Sequence, residues 1–146
     1  MSSFSTKKSR RGFVVLCLTT LALLVGLPLT VFSQAASAPS TVQLIIDYGD
    51  GVRKSFASIP WSRDMTVMDA MNAAKGIHHG FDFAFNGSGN TALLTSIDDV
   101  QNQSGGANSR NWQYWVNEQY AQVGFGAQTL KPLDLVYWKF DLSRGP

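Results

Sequence analysis

The residues best suited to recognition are eight aromatic side chains between positions 112 and 140: Trp112, Tyr114, Trp115, Tyr120, Phe125, Tyr137, Trp138 and Phe140. Alternation along two predicted strands assigns the more apolar set, including Trp112 and Trp138, to the core. The remaining set faces outward and comprises Gln113, Trp115, Asn117, Tyr137 and Lys139. An outward indole beside amides is costly unless something covers it. Trp115 therefore either binds a ligand or packs beneath the polar loop of residues 101–110.

Patterns typical of catalysis or metal binding are missing from the sequence. It contains no G-x-S-x-G, H-E-x-x-H or phosphate-binding loop, and no G-x-G-x-x-G after a strand. His78 and His79 are adjacent, and neighbours in an extended chain point in opposite directions, so they are solvated loop residues unless one is an axial ligand. The pair Asp98 and Asp99 flanks a turn, with cation binding as the alternative. We therefore expect no catalytic residue, no metal site, no tightly bound cofactor and no enzymatic activity.

The charge of the chain is unevenly distributed. The 146 residues carry a formal net charge of +2, but four bases lie at positions 7, 8, 10 and 11, before the first acidic residue, Asp47. From Pro39 onward there are 8 basic and 10 acidic residues, which gives a net charge of −2. A slightly acidic body lacks the basic stripe that nucleic-acid binding requires, so nucleic acid is not an expected partner.

The first 38 residues predict a secretory signal peptide with a short linker. The early bases precede an apolar stretch at 13–32 and the small residues that follow it, and cleavage after Ala35 is favoured. The apolar stretch is about 20 residues long, enough to span a bilayer, so an uncleaved anchor is the alternative and the only expected membrane contact. In both cases residues 39–146 form a domain outside the cytoplasm, whether secreted, periplasmic or at the cell surface. Cys17 is an incidental residue of the apolar stretch, so the exported body has no cysteine.

The elements that must position the aromatic residues are mostly strands. A hairpin is predicted around the turn Gly49-Asp50-Gly51, where glycine accepts a positive φ. One helix begins at Thr66, which forms a capping box with Asp69, and ends at Gly76. Strand patterns follow at 81–85 and 92–97, then a second hairpin at 112–122 and a last strand at 135–141. The fold class is α+β, with a small, mostly antiparallel sheet and one short helix.

The aromatic segment also carries a family resemblance. The run from Trp112 reads W-Q-Y-W-V-N and is followed by Ala121, Gly124, Leu130 and a D-x-V-x-W-x-F motif that ends at Phe140. This combination resembles the transcobalamin-like C-terminal domain, and segments 46–51 and 65–70 fit the hairpin and helix start of that family. The resemblance covers residues 42–141. In two places this chain departs from the family: Glu118 replaces the turn glycine, and Leu133 replaces the glycine before Asp134.

The resemblance implies a β-grasp-like domain that binds a ligand. In vertebrate cobalamin carriers such a domain covers one side of a corrinoid while a helical barrel holds the other, and this chain has no room for that barrel. The implied ligand is cobalamin or a similar bulky cofactor, with a partner protein to complete the site. The expected ligand-binding residues are Gln113, Trp115, Asn117, Tyr120 and Tyr137. A surface adhesion or assembly module that binds protein or glycan is the alternative function.

Overall fold

The computed structural model describes residues 40–103, 106 and 108–143. The predicted signal peptide and Cys17 lie outside the described residues. The elements are β1 (Thr41–Asp47), β2 (Arg53–Pro60), α1 (Val67–Lys75), β3 (Phe83–Asn86), β4 (Leu93–Ile97), β5 (Val100–Gln101), β6 (Arg110–Val116), β7 (Gln119–Tyr120) and β8 (Leu135–Leu142), with a 3₁₀ turn at Gly89–Thr91. Within the described residues, no helix has both the length and the apolar character needed to cross a membrane.

The strands form two sheets. A five-stranded sheet has the order β2-β1-β8-β6-β7, and a three-stranded sheet has the order β3-β4-β5. All pairings are antiparallel except β1 with β8, which run parallel. The β1–β2 hairpin turns through Gly49 at φ 72° and Gly51 at φ 98°, a conformation that glycine adopts without a steric penalty. This arrangement confirms the predicted α+β class with a mostly antiparallel sheet and one short helix.

The one α-helix of the described residues, α1, begins where the sequence predicts. The Thr66 hydroxyl accepts from the backbone N–H of Asp69, and the Asp69 carboxylate accepts from the backbone N–H of Thr66, so the capping box is formed in both directions. The buried stripe consists of Val67, Ala70, Met71 and Ala74. The helix ends at Lys75, and Gly76 follows with a right-handed φ of −75°, so its role as a terminator does not use a left-handed conformation.

The core lies between one face of the five-stranded sheet and a layer made of α1 and the smaller sheet. The inner face contributes Val42, Leu44, Ile46, Trp112, Tyr114, Val136, Trp138 and Phe140, all buried. The opposing layer contributes the helix stripe together with Phe81, Leu94, Ile97 and others. The prediction that Trp112 and Trp138 belong to the core is confirmed. Since side chains alternate along each strand, the intervening residues lie on the outer face of the large sheet.

The two sheets are tied together by polar side chains as well. Asp98 adopts a left-handed φ of 47°, and its carboxylate accepts from the Tyr48 hydroxyl, from the Lys54 ammonium and from the backbone N–H of Asp82. Asn102 donates to the Leu94 carbonyl at 2.7 Å and accepts from the Trp112 backbone N–H at 2.8 Å. Asp98 therefore does more than flank a turn: it joins the first hairpin to the smaller sheet.

Candidate ligand-binding face

An aromatic row crosses the outer face of the large sheet. In the strand register Tyr137 of β8 pairs with Trp115 of β6, and Trp115 pairs with Tyr120 of β7. The Trp115 ring lies 5.9 Å from the Tyr137 ring and 5.4 Å from the Tyr120 ring, between centroids. Trp115 and Tyr137 are half-buried, and Tyr120 is 38% exposed. These three residues, hereafter the aromatic row, bring together most of the side chains that the sequence singled out.

An open depression of about 450 Å³ borders the aromatic row. Its lining includes Trp115 and Tyr137, together with Glu118, Leu135, Lys139 and Asp141. The volume falls within the usual range for small-molecule sites, and the mixture of rings with a few charged groups is typical of such sites. The depression therefore offers a ligand an apolar stacking surface with both signs of charge at its border.

The Tyr137 ring is held in place by a buried carboxylate. Its hydroxyl donates to Asp47 Oδ2 at 2.7 Å, and Asp47 is only 3% exposed. The same carboxylate accepts from Arg53 Nε at 2.7 Å and from the backbone N–H of Gly49 at 2.8 Å. These three donors fix the carboxylate, and the carboxylate fixes the orientation of the Tyr137 side chain in the aromatic row.

The pKa values of Asp47 and Tyr137 follow from the contacts of the two side chains. Burial by itself would raise the pKa of Asp47, but the hydrogen bonds from Tyr137, Gly49 and Arg53 outweigh it and hold that pKa below its ordinary value of 3.8. Burial, together with the hydrogen bond to the Asp47 carboxylate, raises the pKa of Tyr137 above its ordinary value. The Tyr137 hydroxyl is therefore a neutral donor to a charged acceptor at neutral pH.

A second ion pair lies at the border of the depression. The Lys139 ammonium donates to the Asp141 carboxylate, and the two side chains are 36% and 42% exposed. The hydrogen bond from Lys139 lowers the pKa of Asp141 below its ordinary value. Because both groups reach solvent, they can exchange partners with a ligand at little cost.

Gln113 does not lie where the sequence predicts. Its place in β6 is on the outer face, but the side chain is only 7% exposed because Nε2 donates to the Leu142 carbonyl at 2.8 Å. The prediction that the Gln113 side chain is exposed is therefore wrong, whereas its role in ligand binding stays a prediction.

Asn117 lies exposed in the turn between β6 and β7, but its amide is engaged by the chain that enters β8. Its Nδ2 donates to Asp134 Oδ1 at 2.8 Å, and its Oδ1 accepts from the Leu135 backbone N–H at 2.9 Å. Asn117 and Glu118 have φ angles of 49° and 67°, which are the signs of a type I′ turn. Glu118 thus has a left-handed φ of the kind that glycine adopts most readily, and so does Leu133 at φ 72°.

Sequence reasoning missed the Asp47 carboxylate and its partner Arg53. A signal was available in the sequence: Asp47 ends an apolar strand, and the alternation along that strand places it on the outer face with Ile45. Its partner Tyr137 is 90 positions away, and only the parallel pairing of β1 with β8 brings the two together.

The predicted absence of a metal site concerned His78, His79, Asp98 and Asp99. The two imidazole rings lie 3.9 Å apart between centroids. Within the described residues, no group of three or more His, Cys, Asp or Glu side chains is arranged to hold a metal ion.

The fold and the site define a small α+β domain with an open aromatic sheet face. Residues 64–141 match the family described as "Domain of unknown function (DUF4430)", and the chain belongs to that family. No curated protein sequence matches the chain. The chain is similar in fold to the crystal structure of a "putative metal binding protein" from Ruminococcus gnavus, at a TM-score of 0.55 and 8% identity. That likeness covers 72% of this chain and 99% of the other.

Proposed function

We propose that this protein is an exported, non-enzymatic ligand-binding module whose aromatic row receives a flat, bulky ligand of the corrinoid class, such as cobalamin. The observation that carries the proposal is the contact of three partly exposed rings in one row on the sheet face opposite the core. An exposed apolar cluster of this kind marks an interaction site. The sequence motifs that resemble the transcobalamin-like, β-grasp-like domain support the choice of ligand class.

The chemistry of the face suits such a ligand. Trp115, Tyr120 and Tyr137 offer apolar area for stacking against a macrocycle. Lys139, Asp141 and Glu118 supply donors and acceptors for polar substituents at its edge. Because the depression is open, it covers one side of a ligand only, and weak binding by the isolated module follows. A partner protein that covers the opposite side would complete the site.

Coordination of a free metal ion receives less support. The fold neighbour is described as metal binding, but the part of this chain that the structure describes holds no cluster of three metal-ligating side chains. We therefore propose that recognition occurs through the rings and not through a protein-bound ion.

Equilibrium dialysis of the purified protein against cobalamin tests the proposal. Saturable binding is expected, and Trp115→Ala should weaken it about tenfold or more, as loss of a central aromatic anchor does. Val52→Ala is the control, because Val52 is 55% exposed in the first hairpin, lines neither the depression nor any other cavity described here, and should leave binding unchanged. Absence of binding up to about 1 mM cobalamin, a free energy of only about −4 kcal/mol, would reject the corrinoid proposal.

The alternative is a surface module that binds protein or glycan through the same face. What favours it is that the aromatic row lies on an open sheet surface flanked by the Glu118 and Asp141 carboxylates, an arrangement that also suits stacking and hydrogen bonding to a sugar. A glycan array and affinity capture from the native cell envelope separate the two functions. Binding there that Trp115→Ala abolishes, without any response to cobalamin, would favour the adhesion module.

A further inference from the structure

A second cavity lies at the edge of the large sheet, away from the depression. This β6 crevice has a volume of about 280 Å³ and is lined by residues of segments 90–94, 112–114 and 120–125 and by Trp138. It lies between strand β6, the entry to β4 and the chain that leaves β7. Its volume is many times the roughly 30 Å³ of one water molecule and slightly below the range of sites for drug-sized ligands. The β6 crevice therefore suits a small group or the arm of a larger ligand.

The Trp138 side chain, which lines the β6 crevice, carries an unusual buried donor. Trp138 is 2% exposed, and its indole N–H has no hydrogen-bond partner among the described residues. Two other tryptophans show the ordinary arrangement, since Trp61 Nε1 donates to the Leu130 carbonyl at 2.8 Å and Trp112 Nε1 donates to the Val100 carbonyl at 2.9 Å. A buried N–H group nearly always has an acceptor, so an acceptor for Trp138 is expected from beyond the described residues.

The lining of the β6 crevice also limits the charge of a ligand that binds there. None of the residues that line the β6 crevice is charged, so no cation is present to stabilise a carboxylate or phosphate there. Burial of an unpaired charge is far more costly than burial of a neutral polar group that finds a hydrogen bond. The lining does include the amide side chains of Asn90 and Gln122, which can pair with a neutral polar group.

We propose that the β6 crevice is a binding site for an uncharged carboxamide, whose oxygen accepts a hydrogen bond from the Trp138 indole N–H. The amide N–H of the ligand donates to polar groups of the lining, and its carbon substituent contacts the apolar walls, which include Leu94 and Phe125. The carboxamide is either a primary amide arm of a small molecule or the secondary amide of a peptide. This proposal does not rest on the function proposed for the aromatic row, although Tyr120 borders both sites.

Nuclear magnetic resonance of the isotope-labelled protein tests this site directly. The chain has four tryptophans, so four indole N–H signals report separately. Three probes of similar size are titrated: acetamide as the primary amide, N-methylacetamide as the peptide-like amide, and acetate as the charged analogue. We expect a saturable shift of the Trp138 indole signal with an amide, at a dissociation constant on the order of 0.1 M for so small a ligand. The Trp61 signal is the internal control and should not move.

The three probes also distinguish the source of the carboxamide. Stronger binding of acetamide indicates a primary amide arm, and stronger binding of N-methylacetamide indicates a peptide. Equal shifts with acetate, or no selective shift of the Trp138 signal with either amide, would overturn the proposal and leave a bound water as the partner of the indole.

A pair of variants tests the role of the indole donor. Trp138→Phe keeps an aromatic ring but removes the donor, and should weaken acetamide binding about tenfold, as read from the backbone signals of Tyr114 and Gly124. Trp61→Phe removes an indole N–H that already has its partner in the chain and that lies outside the lining of the β6 crevice, so acetamide binding should persist. Unchanged affinity in Trp138→Phe contradicts the assignment. If that variant does not fold, the Trp138 signal of the unmodified protein decides.

Discussion

Asp47→Asn should destabilise the domain strongly, because the buried Asp47 carboxylate is what anchors Tyr137 in the aromatic row. The carboxylate accepts three hydrogen bonds, from the Tyr137 hydroxyl, Arg53 Nε and the Gly49 backbone N–H. An asparagine keeps one oxygen and places an NH₂ group against a donor. The substitution therefore removes a charge and also leaves a buried donor facing another donor.

The magnitude follows from the exposure of the partners. A hydrogen bond to a charged group contributes about 1.5–3 kcal/mol where it is buried. The Arg53 side chain is 64% exposed, so solvent screening reduces its share to below about 1 kcal/mol. The expected loss is thus about 2–3 kcal/mol in the free energy of unfolding, which corresponds to a fall in Tm of about 10–20 °C for a domain of this size.

Urea denaturation measures the free energy of unfolding of four proteins: the parent, Asp47→Asn, Tyr137→Phe and the double variant. The two single changes should not be additive, with a coupling energy of about 1 kcal/mol for the hydrogen bond that they share. Asp50→Asn is the matched control, because its exposed carboxylate accepts only from the Val52 backbone N–H, and it should cost about 0.5 kcal/mol or less. A loss below 0.5 kcal/mol for Asp47→Asn, or strict additivity with Tyr137→Phe, would refute this account of the site.

Three further predictions concern stability. Contacts hold the pKa values of Asp47 and Asp98 below 3.8 in the folded state. Their contribution to the stability of the fold is therefore complete above that pH and is lost as the pH falls further, so Tm should decline below about pH 4. Leu133→Gly should stabilise the domain by about 0.5–1 kcal/mol in urea, because relief of a left-handed φ outweighs the added chain entropy and the side chain is 78% exposed; a destabilisation would contradict this. Thr66→Ala should cost about 1 kcal/mol through loss of the helix cap, whereas Thr66→Ser should cost little.

Part of this structure was predictable because it depends on short sequence distances. The capping box at Thr66 needs only the residue three positions ahead. The first hairpin needs glycines in its turn, and the alternation of apolar residues placed Trp112 and Trp138 in the core. The same alternation placed Trp115 and Tyr137 on the outer face, where they join Tyr120 in the aromatic row.

The environment of each polar side chain was decided by tertiary structure. Gln113 has the pattern of an outward residue, yet it is buried because β8 extends far enough to offer it the Leu142 carbonyl. Asp47 becomes an anchor only because β1 pairs with β8. The alternation that places Trp138 in the core does not indicate that its indole N–H lacks a partner among the described residues. Local spacing determines from which face of a strand a side chain projects, whereas long-range strand pairing determines which donors and acceptors lie within its reach.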